Sequence, residues 1–317
     1  MLPRHRRTPI RDIVRILKRY RRAHGRYPSL FRPQRFSEKI QWRKLFDPSP
    51  LYSVFCDKLA CRDFIEARLG PGHLPPLLWS GDDPAALPLE RLPVPFVVKC
   101  AHGSGMNVFV DDPTRADFVG IRARLAAWQA QNFGRALQEP GYVPVPPRLL
   151  VEAMLTEDDG ALPAEYKLFL FDGRVELIMV RINDGPDSHR NLFLRPDGSR
   201  ADVRFDAPLH GGALPEADLA AMFAMAERLG VGLDHVRVDF LVSRGRILVG
   251  ELTVYSFSGL TPCEPASFDL ELGRAWTIQA PLRRALAAML GLARPDEDGH
   301  SSRDGQQRAD LAAQAGE

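Results

Sequence analysis

Short apolar or alternating runs between turn residues recur through the middle of the chain, and this pattern predicts β-strands. The sequence Asp172-Gly173-Arg174 between two such runs is typical of a hairpin turn. The segment between residues 70 and 95 is rich in proline and glycine and predicts an irregular connection. The predicted strands are 77–79, 95–100, 108–110, 148–155, 165–171, 175–181, 236–240 and the run that contains 250–252.

Apolar residues at helical spacing predict helices before, between and after these strands. Ser37 is the expected N-cap of the second helix, because its hydroxyl can accept from free backbone amides. The polar stretch 294–317 predicts a disordered tail. The predicted helices are 11–20, 36–45, 50–69, 115–132, 215–229 and 275–292.

Two acidic residues occupy matching positions in the hairpin predicted near residue 245. A three-residue turn, Arg244-Gly245-Arg246, would place Asp239 directly opposite Glu251. Cross-strand neighbours lie roughly 5 Å apart, so two carboxylates repel each other there unless a cation lies between them. Because oxygen ligands completed by phosphates suit magnesium better than zinc, the hairpin predicts a magnesium and nucleotide-phosphate site. A solvated hairpin face is the alternative.

A chain of 317 residues with 45% hydrophobic and 26% charged residues is typical of a globular protein with one large or two medium domains. No run approaches the roughly 18 apolar residues of a membrane span, and no apolar signal segment is evident, which predicts a cytoplasmic location. The four cysteines lack the spacing of a zinc site and are expected to be reduced and mostly buried.

Charge is distributed unevenly along the chain. Residues 1–46 contain 15 Lys or Arg and two acidic residues, a net charge of +13, so the remainder carries −11. The helix predicted at 11–20 is basic and amphipathic. It fits a helix docked on the core, a lid over a polyanionic substrate, or contact with the inner membrane surface through basic residues 4–26. Nucleic acid is not an expected partner, because the segment lacks interleaved aromatics and no recognition motif follows it.

Phosphate binding would need an uncommon loop, since neither GxxxxGK[ST] nor GxGxxG after a first strand occurs in the sequence. The loop His102-Gly103-Ser104-Gly105 lies between two predicted strands, and its glycines allow backbone amides to approach phosphate oxygens. Lys99 precedes this loop and would add positive charge. A strand-end lysine that reaches solvent is the alternative.

Other polar residues occupy unusual places in the predicted strands. Glu152 ends an apolar strand and needs a donor, for which the amino group of adenine is one choice. Glu165 and Lys167 alternate along one strand and share a face, which could meet ribose and phosphate or form a surface pair. Three basic residues could orient an acidic substrate or lie in a solvated loop: Arg181, His189 and Arg190.

The motifs together resemble one family. The strand with its lysine and glycine loop, the strand-end glutamate, 165–169 (EYKLF), 237–240 (RVDF) and 250–253 (GELT) occur in the order of the ATP-grasp superfamily. A closer set resembles its teichuronopeptide-biosynthesis (TupA-like) branch over roughly residues 30–275. This set is 36–42 (FSEKIQW), 57–58 (DK), 99–107 (KCAHGSGMN) and 250–253.

This resemblance implies a fold of the α/β class, of α+β type, in which two antiparallel-rich ATP-grasp lobes hold ATP between them. Residues 76–155 would form the lid lobe with the glycine loop, and residues 156–293 the metal-binding lobe. Residues 1–75 would be a basic, mainly helical region in place of the usual Rossmann-like domain.

The resemblance also implies two cofactors, ATP and Mg²⁺, and a nucleotide site built from several segments. Lys99 would contact the α and β phosphates, Glu152 would lie at the adenine hinge, and Glu165 would contact the ribose. Lys167 would contact a phosphate or the substrate. The loop that covers the nucleotide would contain His102, Gly103, Ser104, Gly105, Met106 and Asn107.

At the metal, the resemblance assigns Asp239 and Glu251 as magnesium ligands. Arg237 would neutralise charge on the transferring phosphoryl group. Thr253 stands where many members of the superfamily have a metal-binding Asn, and its neutral hydroxyl is a weaker ligand.

The superfamily resemblance implies an ATP-dependent carboxylate–amine ligase, in which a carboxylate is phosphorylated to an acylphosphate that an amine then attacks. The branch resemblance implies surface-polysaccharide biosynthesis, with an acidic glycan and an amino acid or amine as substrates. The alternatives are a glycan or small-molecule kinase and a nucleotide- or glycan-binding protein without turnover. The paired carboxylates could also hold the metal of a nucleotide sugar.

Overall fold

The computed structural model of the protein describes residues 9–185 and 188–290. Within these residues the strands form two antiparallel sheets, and none of the helices is long and apolar enough to cross a bilayer. The α-helices are α1 (Ile10–His24), α2 (Phe36–Phe46), α3 (Pro50–Cys56), α4 (Lys58–Leu69), α5 (Phe118–Gln129), α6 (Phe133–Ala136), α7 (Leu219–Gly230), α8 (Ser267–Ala275) and α9 (Pro281–Leu290). The strands are β1 (Leu77–Gly81), β2 (Phe96–Cys100), β3 (Asn107–Val110), β4 (Leu149–Ala153), β5 (Ala164–Phe171), β6 (Arg174–Gly185), β7 (Ser188–Leu194), β8 (His235–Ser243) and β9 (Arg246–Thr253).

The two sheets form the centres of two lobes. The four-stranded sheet has the order β1-β4-β2-β3, and the five-stranded sheet has the order β7-β6-β5-β8-β9. Neighbouring strands are antiparallel in both sheets. The predicted α/β class with two antiparallel-rich lobes is therefore confirmed, and four helices precede the first strand.

The helix predicted over 50–69 is two helices, α3 and α4. Asp57 separates them with extended backbone dihedral angles, φ −95° and ψ 107°. Its carboxylate accepts hydrogen bonds from the amides of Leu59 and Ala60, so it caps the amino end of α4. The capping carboxylate thus interrupts a helical pattern that the neighbouring apolar residues would otherwise continue.

The prediction of Ser37 as an N-cap is wrong, because α2 begins one residue earlier and Arg35 occupies the capping position. The amide and hydroxyl of Ser37 instead donate to the carboxylate of Asp269. Glu38, within the first turn, accepts from the amide of Arg35 and closes the helix start.

The helix predicted over 275–292 is also wrong in its extent. Helix α8 ends at Ala275, and α9 begins at Pro281 after Ala280, whose φ of 44° is left-handed. Strand β7 replaces the loop alternative for His189 and Arg190. The predicted tail 294–317 lies outside the described residues.

The β8–β9 hairpin has the predicted strand pairing at Asp239, but its turn is shorter than predicted and a bulge follows it. Its turn contains two residues, Arg244 and Gly245, with φ of 51° and 72°, as a turn matched to twisted antiparallel strands requires. A one-residue register shift follows between Asp239 and Phe240, which places Gly250 in a bulge. Asp239 therefore pairs with Glu251, as predicted, although the three-residue turn was wrong.

The two faces of the five-stranded sheet differ in character. One face is apolar and packs against α4 and α7. The other face is apolar only at one end, where Phe36 of α2 and the aromatic residues Phe268 and Trp276 cover it. Its opposite end carries charged side chains, of which Glu251 lines a cleft together with Lys99 and Glu152 of the first lobe.

Helix α2 is buried along its entire length, although six of its eleven residues are polar. Arg43 is fully buried and donates to the carbonyls of His235 and Val254, each at 3.0 Å, and to Asp234 at 2.5 Å. His235 begins β8 and Val254 follows β9, so Arg43 joins the two ends of the hairpin.

Replacing Arg43 with methionine should lower the free energy of unfolding by about 3–5 kcal/mol, because two buried carbonyls and Asp234 lose this donor. Chemical denaturation of both proteins measures the difference. The matched control Arg246→Met removes an exposed arginine from the same hairpin and should change this free energy by less than about 0.5 kcal/mol. Equal losses in the two variants would contradict the role assigned to Arg43.

Candidate functional site

The polar end of the five-stranded sheet brings six of the sequence-predicted residues onto one face. The side chains of every second residue along a strand point to the same side, and the strand register aligns the two such residues of each of the three strands. Lys167 pairs with Asp239, and Asp239 pairs with Glu251. The residues on this face are Glu165 and Lys167 of β5, Arg237 and Asp239 of β8, and Glu251 and Thr253 of β9.

Asp239 lies at the centre of this face and is buried. Arg237 donates to both of its oxygens, from Nε to Oδ1 at 2.6 Å and from Nη2 to Oδ2 at 2.7 Å. Lys167 Nζ donates to Oδ2 at 2.8 Å. Burial alone would raise the pKa of Asp239, but Arg237 and Lys167 outweigh it and hold the pKa below its ordinary value. The carboxylate is therefore charged at neutral pH.

Arg237 connects the remaining members of the face. Its Nη2 also donates to Thr253 Oγ1 at 3.1 Å. Burial opposes its charged form, but Asp239, with smaller contributions from Glu251 and Glu165, raises its pKa above the ordinary value. Glu165 accepts from Lys167 at 2.6 Å, so Glu165 and Asp239 each have a cation in direct contact.

This face suits a magnesium ion that also binds phosphate. Two carboxylates and a hydroxyl are oxygen ligands, and magnesium is commonly held by one or two carboxylates with phosphates completing the shell. The oxygens of Asp239 offer about four lone-pair sites, of which arginine and lysine use three. In the described part of the chain, no cluster of three or more His, Cys, Asp or Glu side chains is arranged to hold a metal without such added ligands. The repulsion that predicted a metal is, however, already relieved by Arg237 and Lys167.

Glu251 also lines a cleft between the two lobes, and the first lobe contributes a second charged group to this cleft. Glu152 is buried and accepts from Lys99 Nζ at 2.6 Å and from Arg62 Nη1 at 2.5 Å. The donor that this strand-end acid was predicted to need is thus supplied by two cations of the protein. Lys99 and Glu152, which the sequence assigned to phosphate and adenine, are in direct contact.

Helix α4 brings two basic residues to this cleft that sequence reasoning did not include among the site residues. Lys58 and Arg62 are one helical turn apart and line the cleft beside Lys99, Glu152 and Glu251. The quoted motif Asp57-Lys58, with a second cation four residues after the lysine, was the signal that could have identified them.

The glycine loop between β2 and β3 divides into a buried and an exposed part. Lys58 Nζ donates to the carbonyl of Gly103, which ties the loop to α4. Ser104 and Gly105 are exposed, and Gly105 has a left-handed φ of 73°. Their backbone is therefore accessible to a phosphate.

The side chains of His102 and Met106 point into the first lobe. His102 Nε2 lies 3.2 Å from the carbonyl of Trp128, and Met106 belongs to the hydrophobic core around β2 and β3. Burial is the main cause that lowers the pKa of His102. The expected contribution of these two residues to nucleotide binding is thus limited to their backbone, whereas Asn107 is only partly buried.

The three predicted substrate residues do not share one surface. Arg181 pairs with Glu165 across β5 and β6, and its Nη1 lies 3.9 Å from that carboxylate. His189 is on the same face, where burial and then Arg181 lower its pKa. Arg190 pairs with Ile182 and lies on the opposite, apolar-packed face, so its assignment to the same site was wrong.

Solved structures with a similar fold include three ligases. The ATP-grasp ligase PsnB complexed with minimal precursor is 13% identical, with a TM-score of 0.39, and the match covers 76% of this chain and 62% of that chain. The D-alanine–D-alanine ligase from Bacillus anthracis complexed with ATP is 14% identical, with a TM-score of 0.42 and coverages of 76% and 66%. The L-amino acid ligase from Bacillus licheniformis is 15% identical, with a TM-score of 0.45 and coverages of 83% and 57%.

The chain thus spans less than two thirds of the length of these three proteins. No curated protein matches its sequence. The sequence profile described as TupA-like ATPgrasp matches residues 38–277, which is most of the chain and contains both sheets. The protein therefore belongs to the TupA-like ATP-grasp family.

Proposed function

We propose that the protein is an ATP- and Mg²⁺-dependent carboxylate–amine ligase that acts in surface-polysaccharide biosynthesis. The observation that carries the proposal is the cleft in which Lys99 and Glu152 of one lobe face Glu251 of the other. Glu251 is paired with Asp239 beside Arg237, so the cleft combines a phosphate-binding end with a metal-binding end. Family membership supports the use of ATP in this cleft.

The residues of the cleft suit phosphoryl transfer to a carboxylate. A substrate carboxylate oxygen would attack the γ-phosphorus, and ADP would leave with the pair of electrons of the broken P–O bond. Mg²⁺ bound at Asp239 and Glu251 would supply charge neutralisation for the phosphates. Arg237, already fixed by Asp239, would donate to the transferring phosphoryl group from its Nη atoms, while Lys99 would hold the α and β phosphates.

The second step needs no nucleophilic side chain. The amine nitrogen would attack the acyl carbon of the acylphosphate, and inorganic phosphate would leave with the proton that the amine loses as the amide bond forms. The described cysteines do not suit nucleophilic catalysis, because burial is the main cause that raises the pKa of each of them. The cleft instead contributes orientation and electrostatic stabilisation.

The proposed substrates are an acidic glycan, or its precursor, and an amino acid or amine. The TupA-like description and the basic residues of the cleft, Lys58, Arg62 and Lys99, support an acidic substrate. We place the reaction in the cytoplasm, at the inner surface of the membrane. Arg181 and His189, on the face of Glu165, are the proposed contacts for its acidic group.

One observation favours a second candidate, a nucleotide- or glycan-binding protein without turnover. Thr253 provides a neutral hydroxyl, and that hydroxyl already accepts from Arg237. A glycan or small-molecule kinase would use the same residues with a hydroxyl acceptor, and its product would be a phosphoester.

Products of the reaction distinguish these functions. The protein, MgATP, candidate amino acids and uronic-acid glycan fragments should give ADP, phosphate and a product heavier by the amine minus water, as measured by mass spectrometry. A product heavier by one phosphoryl group would assign a kinase. Tight MgATP binding without ADP release for any pair of substrates would exclude the ligase.

The Asp239→Asn variant should lose the magnesium-dependent part of ATP affinity, because a neutral amide is a weaker ligand than a carboxylate. Calorimetric titration with ATP in the presence and absence of Mg²⁺ should show at least about a tenfold loss only when magnesium is present. The exposed residue Asp202, changed to Asn, is the matched control and should bind as the wild type does. An unchanged magnesium effect in Asp239→Asn would move the metal site elsewhere.

Lys99→Met should weaken ATP and ADP binding alike, by about tenfold to a hundredfold, because it removes a charged donor to the α and β phosphates. Adenosine should bind equally to the variant and the wild type. Titration with the three ligands gives the comparison, and the exposed Lys18→Met serves as the control. If adenosine binding fell as much as ADP binding, Lys99 would act through Glu152 at the adenine instead.

A further inference from the structure

Two helices from opposite ends of the described chain cover one hydrophobic cluster. Ile16 of α1 and Ala285 and Ala288 of α9 are buried in it. Helix α2, which contacts both of these helices, contributes Trp42. We call this group the Trp42 cluster: Ile16, Leu30, Trp42, Leu45, Phe46, Ala285 and Ala288. Helices α1 and α9 therefore both pack on this cluster, and α2 lies in contact with each of them.

Helix α1 is held firmly on this cluster. Tyr20 is completely buried, and its hydroxyl lies 2.8 Å from Ser37 Oγ of α2. The αL residue Gly25 ends the helix. The face of α1 that is turned away from the cluster is consequently fixed in its orientation, and α1 is docked on the core, which was one of the three alternatives for this helix.

The outward face of α1 combines positive charge with exposed apolar side chains. Ile10 and Val14 are 77% and 41% exposed. The acidic residue Asp12 lies 3.7 Å from Arg15, so it offsets only part of the charge. The exposed basic residues of this helix are Arg11, Arg15, Lys18, Arg19, Arg21 and Arg22.

Helix α9, which packs on the same cluster, has an exposed apolar face. Leu282, Leu286 and Leu290 follow one another at intervals of four residues and are 42%, 46% and 60% exposed. Its other side is anchored, because Ala285 and Ala288 are buried and Arg284 donates to Asp47 at 2.6 Å. The exposed leucines thus project from a helix whose position the core determines.

The combination of exposed basic and apolar groups on α1, with the exposed leucines of α9, matches an anionic bilayer better than a dissolved polyanion. Arginine and lysine are attracted to anionic headgroups, and leucine and isoleucine side chains gain by entering the boundary between headgroups and acyl chains. A soluble polyanion could use only the charges. We propose that the outward faces of α1 and α9 form a docking surface for an anionic lipid bilayer, to which the protein binds peripherally.

The docking surface is separate from the nucleotide cleft, so the inference does not depend on the proposed reaction. None of the residues on these outward faces lines the cleft between the lobes. Nucleotide binding can therefore serve as an independent check of folding.

Sedimentation of the full chain with lipid vesicles tests the proposal. The protein should bind vesicles of phosphatidylcholine mixed with an equal amount of phosphatidylglycerol, and not vesicles of phosphatidylcholine alone. The combined variant Arg11→Glu, Arg15→Glu and Lys18→Glu should bind the anionic vesicles at least about tenfold more weakly, since each reversed charge opposes the surface potential. The control reverses three exposed charges elsewhere, at Arg91, Arg115 and Arg246, and should retain binding.

A second variant separates the bilayer from a soluble polyanion. Leu286→Ser removes an exposed apolar side chain and should weaken binding to anionic vesicles severalfold, while leaving any retention on immobilised polygalacturonate unchanged. Absence of binding to anionic vesicles would overturn the proposal. So would strong polygalacturonate binding that is lost in the charge variant, combined with vesicle binding that Leu286→Ser does not change. Unaltered MgATP affinity in each variant shows that the fold is intact.

Discussion

The burial of a polar helix against the ends of the β8–β9 hairpin is the constraint on which the rest of the structure depends. A buried guanidinium needs hydrogen-bond acceptors inside the protein. Arg43 donates to the carbonyls of His235 and Val254 and to the carboxylate of Asp234. Along the sequence, the stretch between His235 and Val254 contains four residues of the charged face: Arg237, Asp239, Glu251 and Thr253. Helix α2, which contains the FSEKIQW motif, thus contributes no side chain to the charged face. It supports that face by holding the two ends of the hairpin.

Two buried carboxylates of the site are each paired with two cations of the protein. Asp239 is neutralised by Arg237 and Lys167, and Glu152 by Lys99 and Arg62. In the proposed function, nucleotide binding would exchange these partners: the cations would turn from protein carboxylates to phosphates, and magnesium would bind the carboxylates. The energetic gain of such an exchange is a difference between two sets of ion pairs, which favours ligands that bring both the phosphates and the metal.

Local patterns in the sequence predicted much of the fold because hairpins are local structures. Alternating residues around Asp172-Gly173 and around Arg244-Gly245 contain both the strands and the turn, so the pairing of Asp239 with Glu251 could be inferred. The partners of Glu152 could not, because Arg62 lies 90 residues earlier in the chain and only the packing of α4 brings it close. The position of Arg190 depended on the register of β7, a strand whose polar residues gave no alternating signal.

The bulge at Gly250 adds one unpaired residue to β9. This extra residue decides on which side of the sheet the side chain of Glu251 lies. Counting back from the two-residue turn without the bulge, Asp239 would meet Gly250, and Glu251 would meet Val238. Val238 belongs to the apolar core, so the glutamate would then be directed into hydrocarbon. A glycine with no side chain of its own thus acts as a spacer that keeps two carboxylates in phase. We therefore expect relatives to keep the number of residues between the turn and the glutamate more strictly than the amino-acid types at those positions.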